Sequence, residues 1–378
     1  MPDSSSEANN APGGSETISD GLGSSSRKAR PRPRNPFFVV LVVLVVILVA
    51  GGGYAAWTYA HPSGSGIVCH THSPTSSSLT PRSKAASPVA NPEPAKVVSR
   101  THSGSSLIQV VAAENFWGSI VTQIGGNDTS VLSIITDPNA DPHEYTENNS
   151  DVTAIADAQY VIVNGVGYDT WALQAIAANP NPNRVVLNVG NINGVPIGGN
   201  PHMWYNPAFV NLTARTILAN LTSIAPQDAS YFQQNFNAIN ASLNSDIFEE
   251  ENNIRSQFAG TEVAATESIF VYMANALRLN LVSPASFMDA VAEGNDPPEQ
   301  SVSEFEDQLE SGNVSVLVYN EQTVTPLTSE MKTIAQTCGV AVVGVTETIQ
   351  PPNYSFQVWM QSELIYVQNG LNSNALGQ

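Results

Sequence analysis

From Leu107 onward the apolar positions switch repeatedly between short continuous runs and a spacing of three to four. The runs LIQVVAA (107–113), TSVLSII (129–135), QYVIVNG (159–165) and RVVLNV (184–189) read as strands. Between them ENFWGSIVTQIGG, stopped by Gly125 and Gly126, SDVTAIADA, opened by a Ser150 or Asp151 cap, and YDTWALQAIAA read as helices. Residues 208–257 carry helical periodicity and no strand signal. Within them the stretch Ala229 to Gly260 sets Phe232, Phe236, Ile239, Leu243 and Phe248 at spacings of three to five without a proline. A helix there would span roughly 40 Å at 1.5 Å per residue, enough to run along two stacked domains. After Gly260 the alternation resumes. EVAAT is a strand, SIFVYMANALRL and SVSEFEDQLESG are helices, and VSVLVYN (314–320) is a strand. PLTSEMKTIAQTCG is a helix, VAVVGVT (340–346) a strand, and a last helix starts near Ser355. Strands that alternate with helices predict two α/β units with mainly parallel sheets covered on both faces. Neither unit has a Gly-rich loop between strand and helix, so nothing supports nucleotide binding.

The region before this body is organised differently. Residues 1–36 read as a disordered cytoplasmic tail, its first 26 positions being rich in Ser, Gly and Asn with few apolar side chains. Residues 37–57, FFVVLVVLVVILVAGGGYAAW, form an apolar run long enough to cross a bilayer. Arg27, Lys28, Arg30, Arg32 and Arg34 precede it, which predicts a cytoplasmic N-terminus and an exported body. A cleaved signal peptide is the alternative. Residues 58–105, rich in Ser, Pro and Thr, read as a spacer. The expected domains are then 106–226, a linking helix at 227–259, and 260–378.

Charge narrows the partners. The chain of 378 residues carries a formal net charge of −19. From residue 106 onward only Arg184, Arg215, Arg255, Arg278 and Lys332 stand against 28 acidic residues. A field of that sign repels phosphate backbones and concentrates cations, so nucleic acid is a poor partner and none is expected, although an acidic surface also serves plain solubility. The two cysteines do not make a disulfide framework, and the fold is expected to rely on its cores. Cys338, at the end of a helix, reads as a small apolar filler. Cys69 lies in CHTH with His70 and His72, a soft ligand cluster without fixed geometry.

Two of the six histidines, His143 in DPNADPHEY and His202 in GGNPHMWYNP, fall inside the folded region. Each follows a proline just past a predicted strand, where open α/β sheets present ligand-binding loops. Pro142 and Pro201 stiffen those loops and push Asp141 and Asn200 into extended geometry. Stiff imidazoles suit a metal ion, whose ligand distances vary little.

The ordered set DPHEY, GYDTW, NPHMWYNP, TESIF and VTETIQPP resembles the metal-receptor family of ABC importers for zinc and manganese, over about residues 107–370. The resemblance implies two α/β domains joined by one long helix, with a metal in the interdomain cleft that is passed to a membrane permease. By the same resemblance His143 and His202 are the first-domain ligands. Glu267, at the start of the second domain, stands where relatives carry His or Glu. Glu347 stands where they carry a carboxylate, commonly the shorter Asp. Thr146, Glu147 and Asn148 replace the Pro-Thr pair with which the family usually continues DPHEY. Asp141 or Glu144 could orient an imidazole, and Trp204, Tyr145 and Tyr272 are expected to pack around the cleft.

The expected cargo is Zn²⁺ or Mn²⁺, imidazoles suiting the first and carboxylates the second. The expected protein is a monomeric extracytoplasmic receptor, not an enzyme. HExxH and a nucleophile elbow are missing from the sequence, and its one Cys-His cluster, CHTH at 69–72, lies in the spacer ahead of the folded body. A surface metalloenzyme and an adhesin that uses the metal structurally are the rival readings. Because ligation needs neutral imidazoles, affinity is expected to fall below about pH 6.5, the reference histidine value.

Overall fold

A computed structural model describes residues 67–70, 106–140 and 142–375. The tail, the apolar run at 37–57, most of the spacer and Asp141 lie outside these residues. Among the described residues no helix is long and apolar enough to cross a membrane.

The chain builds two four-stranded sheets of the same design. In the first half β1 (Ile108–Glu114), α1 (Asn115–Gly125), β2 (Thr129–Ile135), α2 (Asn149–Asp157), β3 (Tyr160–Val163), α3 (Thr170–Ala178), β4 (Val185–Asn188) and α4 (Val189–Asn193) follow one another. All pairs are parallel, in the order β2-β1-β3-β4. Alternation along the strands sorts side chains to two faces. Val111, Ala113, Val161 and Val163 meet α2 and α3 in a separate outer core, where Ile155, Trp171 and Ala172 are buried. Val110, Tyr160 and Ile162 turn to the large core shared with the rest of the molecule. Gly126, at φ +53°, stops α1 as expected. The cap of α2 differs from expectation. Asn148 opens the helix by accepting from Ser150 and Asp151 backbone N–H groups, and Asp151 returns the bond to Asn148. The departure from the family's Pro-Thr pair is therefore a capping box.

The connection is α5 (Pro207–Ile224), α6 (Ala229–Ser242) and α7 (Glu249–Phe258). α6 and α7 are continuous through a widened π-type turn, Leu243–Phe248. That turn keeps Leu243, Ile247 and Ile254 buried, so Ile247, and not Phe248, continues the apolar stripe. The long rod is present, with a π-turn that periodicity alone did not reveal.

The second half comprises β5 (Glu262–Ala265), α8 (Val271–Leu277), β6 (Asn280–Leu281), α9 (Ala285–Ala292), α10 (Glu299–Glu310), β7 (Val316–Asn320), α11 (Pro326–Thr337), β8 (Ala341–Val345) and α12 (Phe356–Ala375). The order β6-β5-β7-β8, again parallel, repeats the first sheet. Ala264 and Leu317 face an outer core with Phe287, Phe305 and Met331, while Val263, Ala265, Val316 and Val318 face the shared one. β6 and α9 were not expected. β6 is only two residues long, and Pro284 opens α9 without a side-chain cap.

One expectation is overturned outright. Cys338 is not an apolar filler but is disulfide-bonded to Cys69, 269 residues away in sequence. The bond pins the short stretch 67–70 to the second half, where His70 N also donates to Glu310 O at 2.8 Å. With its sulfur in a disulfide, Cys69 has no thiolate to offer as a soft metal ligand.

Candidate metal centre

Because all eight strands are parallel within their sheets, the loops after them gather at strand carboxyl ends, where the two halves face each other. After β2, the 3₁₀ turn Pro142–Glu144 carries His143. Beyond β4 and α4, the Asn200-Pro201 segment carries His202. Glu267 lies two residues past β5 and Glu347 two residues past β8. Each of these four side chains offers one donor atom, and all four atoms lie within 4.8 Å of one another. His202 Nε2 is 3.1 Å from Glu267 Oε1, and His143 Nε2 is 3.4 Å from Glu347 Oε2. A tetrahedral ion with bonds of about 2.0–2.1 Å has ligand-to-ligand edges of about 3.3 Å, so these two pairs are spaced as edges of such a polyhedron.

Burial makes the cluster costly without a cation. His202, Glu267 and Glu347 are fully buried, and His143 retains 18% side-chain exposure. His202 Nε2 and Glu267 Oε1 are buried without a hydrogen-bond partner. Such groups are rare in folded proteins and mark places that a ligand or ion completes. A donor set of two imidazoles and two carboxylates fits a divalent transition metal.

The tautomer of His202 is fixed from behind. Asn200 Oδ1, an acceptor, accepts from His202 N at 2.9 Å and lies 2.8 Å from Nδ1. Nδ1 therefore carries the proton and Nε2 directs its lone pair into the pocket. Burial depresses the His202 pKa from 6.5 to about 3, the nearby His143 also lowering it and Glu347 opposing. The expectation that affinity falls just below pH 6.5 does not hold through His202, whose ring stays neutral far below that value. Burial raises the Glu267 carboxyl, against the stabilising pull of His143, Asn320 and Thr323.

On the second half Asn320, the last residue of β7, donates through Nδ2 to Glu347 Oε1 at 2.8 Å and also to Glu267 Oε2. Thr323 Oγ1 adds a bond to Glu347 Oε1 at 3.2 Å. From the first half, Tyr168 donates its hydroxyl to Glu347 Oε2 at 2.6 Å. The halves are latched around the cluster by further bonds. Asn200 Nδ2 donates to Ser268 O at 2.7 Å, Tyr272 to Asn200 O at 3.1 Å, Gln322 to Ala140 O at 3.0 Å and Tyr205 to Thr346 O at 2.8 Å. A cleft of about 590 Å³ reaches His143 from outside, with Glu144, Asp289 and Glu293 among its lining.

All four residues expected at the site come together. Trp204 stacks on Phe116 at 4.1 Å and meets His202 edge-on at 5.3 Å, so it supports the pocket as expected. Tyr145 instead turns to Trp171 and Asp151 on the outer core. Sequence reasoning missed Asn200, Asn320, Thr323 and Tyr168. A signal existed for Asn200, since an Asn two residues before a histidine can form an Asx turn that accepts its N–H. For Asn320 the only signal was a polar residue closing an apolar strand.

Two parallel α/β halves joined by a long helix, with a buried imidazole and carboxylate cluster in the cleft, define a cleft-type receptor for a cation. The family follows from comparison. The profile of the family "zinc-uptake complex component A, periplasmic" matches residues 110–369, well over half of the chain, and the chain belongs to that family. It is 29% identical over 135 residues to the manganese-binding lipoprotein MntA of Halalkalibacterium halodurans, covering 35% of this chain and 44% of that protein. To the metal ABC transporter substrate-binding lipoprotein SloC of Streptococcus mutans it is 22% identical over 287 residues, 70% of this chain and 90% of the relative. The fold matches that of the periplasmic zinc binding protein TroA from Treponema pallidum with a TM-score of 0.61 at 14% identity, over 71% of this chain and 99% of that one.

Proposed function

We propose that this protein is an extracytoplasmic receptor that captures one divalent cation, Zn²⁺ or Mn²⁺, between its halves and delivers it to an ABC-type permease. In this reading His143, His202, Glu267 and Glu347 are the ligands. The observation that carries it is the pairing, across the cleft, of a buried His202 Nε2 with a buried Glu267 Oε1, neither of which has a hydrogen-bond partner. A cation relieves both at once, and because the donors come from opposite halves, binding and closure support each other. With four converging donors no coordination position is left for a reacting substrate, which favours capture over catalysis. The acidic cleft lining Glu144, Asp289 and Glu293 would draw cations towards His143.

In this reading the body divides into domains at 106–226 and 260–378 with a linking helix at 227–259, and the receptor works as a monomer. The Cys69–Cys338 disulfide suits an oxidising compartment outside the cytoplasm. The apolar run 37–57 would hold the body at the membrane.

Elemental analysis of the purified protein tests the reading. One equivalent of zinc or manganese is expected in the wild type, and loss of stoichiometric metal in both His143→Ala and His202→Ala. Wild-type protein that retains no transition metal after exposure to either ion would refute it.

A further inference from the structure

Both carboxylates of the cluster have one oxygen already engaged by the same amide. Asn320 Nδ2 donates to Glu267 Oε2 and to Glu347 Oε1, and Thr323 Oγ1 donates to that same oxygen of Glu347. The oxygens left facing the imidazoles are Glu267 Oε1, 3.1 Å from His202 Nε2, and Glu347 Oε2, 3.4 Å from His143 Nε2. The amide cannot turn over to release them. Its Oδ1 accepts from Gln322 N at 2.9 Å. The Gln322 side chain is itself held by Glu347 N at 2.8 Å and Thr348 N at 2.9 Å. Asn320 is fully buried at the end of β7, where β-sheet pairing with Val345 fixes its backbone. A flipped amide would set its oxygen against two carboxylates and its N–H₂ against the Gln322 N–H, losing every bond at once.

We propose that Asn320 is the specificity-determining residue of this centre: by occupying one oxygen of each glutamate it makes both ligands monodentate, holds the site at four donors and selects zinc over manganese. The proposal rests on the receptor reading above and deepens it. Four donors of mixed nitrogen and oxygen suit tetrahedral Zn²⁺. Mn²⁺ is the weaker binder at any such set, and oxygen-rich, higher-coordinate surroundings are what suit it. The second oxygens of Glu267 and Glu347, which bidentate ligation would recruit, are the ones the Asn320 amide holds. Tyr168, which donates to Glu347 Oε2 at 2.6 Å, reinforces the restriction by fixing how the remaining oxygen is presented.

The test uses the full-length protein and two probes, Zn²⁺ alone and Mn²⁺ alone, with affinities from chelator competition and zinc coordination number from X-ray absorption. The wild type is expected to prefer zinc by about a hundredfold or more and to hold it with four donors. Asn320→Ala is expected to lower the zinc-to-manganese affinity ratio by at least about tenfold, the scale on which groups behind a metal ligand act, and to raise the coordination number above four. A parallel loss of both metals with an unchanged ratio would reduce Asn320 to a structural role and overturn the proposal. So would a coordination number that stays at four. Thr323→Val, which removes one bond from the same Glu347 oxygen, provides the decision if Asn320→Ala does not fold. Its ratio should fall in the same direction, and an unchanged ratio counts against the idea. If the wild type binds neither ion the receptor reading itself fails, whereas binding with an immovable ratio sinks only the specificity assignment.

Discussion

Replacing Asn200 by alanine should separate the orientation of His202 from its mere presence. The Asn200 side chain makes three bonds: from His202 N at 2.9 Å, with His202 Nδ1 at 2.8 Å, and to Ser268 O of the opposite half at 2.7 Å. At roughly 0.5–1.5 kcal/mol net each, the loss of all three amounts to about 1.5–4.5 kcal/mol. The share that reaches metal binding comes from the second and third. Without the Nδ1 partner the ring is free to turn and its tautomer is no longer fixed. Without the Ser268 bond the closed arrangement loses one of its latches. Partners behind metal-bound histidines typically contribute about 10–100-fold in affinity, and we expect Asn200→Ala to fall in that range. Because the Ser268 bond exists only with the halves together, most of the loss should appear as faster release. Zinc affinity by competition with a chromogenic chelator, and release by stopped-flow mixing with excess chelator, measure both quantities. Asn200→Asp keeps an acceptor for Nδ1–H while losing the bond to Ser268, and should recover most of the affinity but less of the residence time. Alanine and wild-type proteins that agree within twofold in affinity and release rate would refute the assigned role.

Other outcomes follow from the same geometry. Metal at about a hundred times its Kd should stabilise the protein by about 2.7 kcal/mol, seen as a raised Tm in scanning calorimetry, and His202→Ala should abolish the rise. Burial lifts the Glu363 pKa from 4.5 to about 8, although Thr346 and Trp359 donate to its Oε1. A raised carboxyl favours the folded state fully below pH 4.5, and that contribution is lost as pH rises through 8. Glu363→Gln removes this dependence. Urea unfolding of metal-free protein should show the variant gaining on wild type from pH 5 to pH 9 by at most about 5 kcal/mol, and parallel curves would contradict it. Cys338→Ser should leave zinc affinity unchanged within twofold, since none of the four donors adjoins it. Closing a loop of 269 residues argues for a stability loss of up to about 5 kcal/mol in chemical denaturation.

Much of this was legible beforehand because its cause is local. Short apolar runs such as Tyr160 to Val163, bounded by helical stretches and rich in β-branched residues, read as buried strands, and Gly126 stops α1 wherever α1 packs. The stiff Pro-His turns marked His143 and His202 as candidate ligands, and the resemblance carried by the ordered motifs brought Glu267 and Glu347 into the same expectation. Other features have no local signature. The cap at Asn148, the two-residue strand β6 and the π-turn at 243–248 depend on a single hydrogen bond or on the phase of a stripe, both smaller than the pattern that reveals an element.

The linear chain by itself determined two α/β units, a long helix and two candidate histidine donors, because periodicity and loop chemistry act within a few residues of each position; Glu267 and Glu347 joined them only through the resemblance to a known family. Only the tertiary structure decided how those donors are used. Asn200 orients His202 and reaches Ser268, 68 residues away; Asn320 lies 53 residues from Glu267 and 27 from Glu347. Cys69 finds Cys338 across 269 residues. Contacts of that kind arise from the way two sheets are brought face to face, and that packing buries His202, Glu267 and Glu347 together, with His143 beside them.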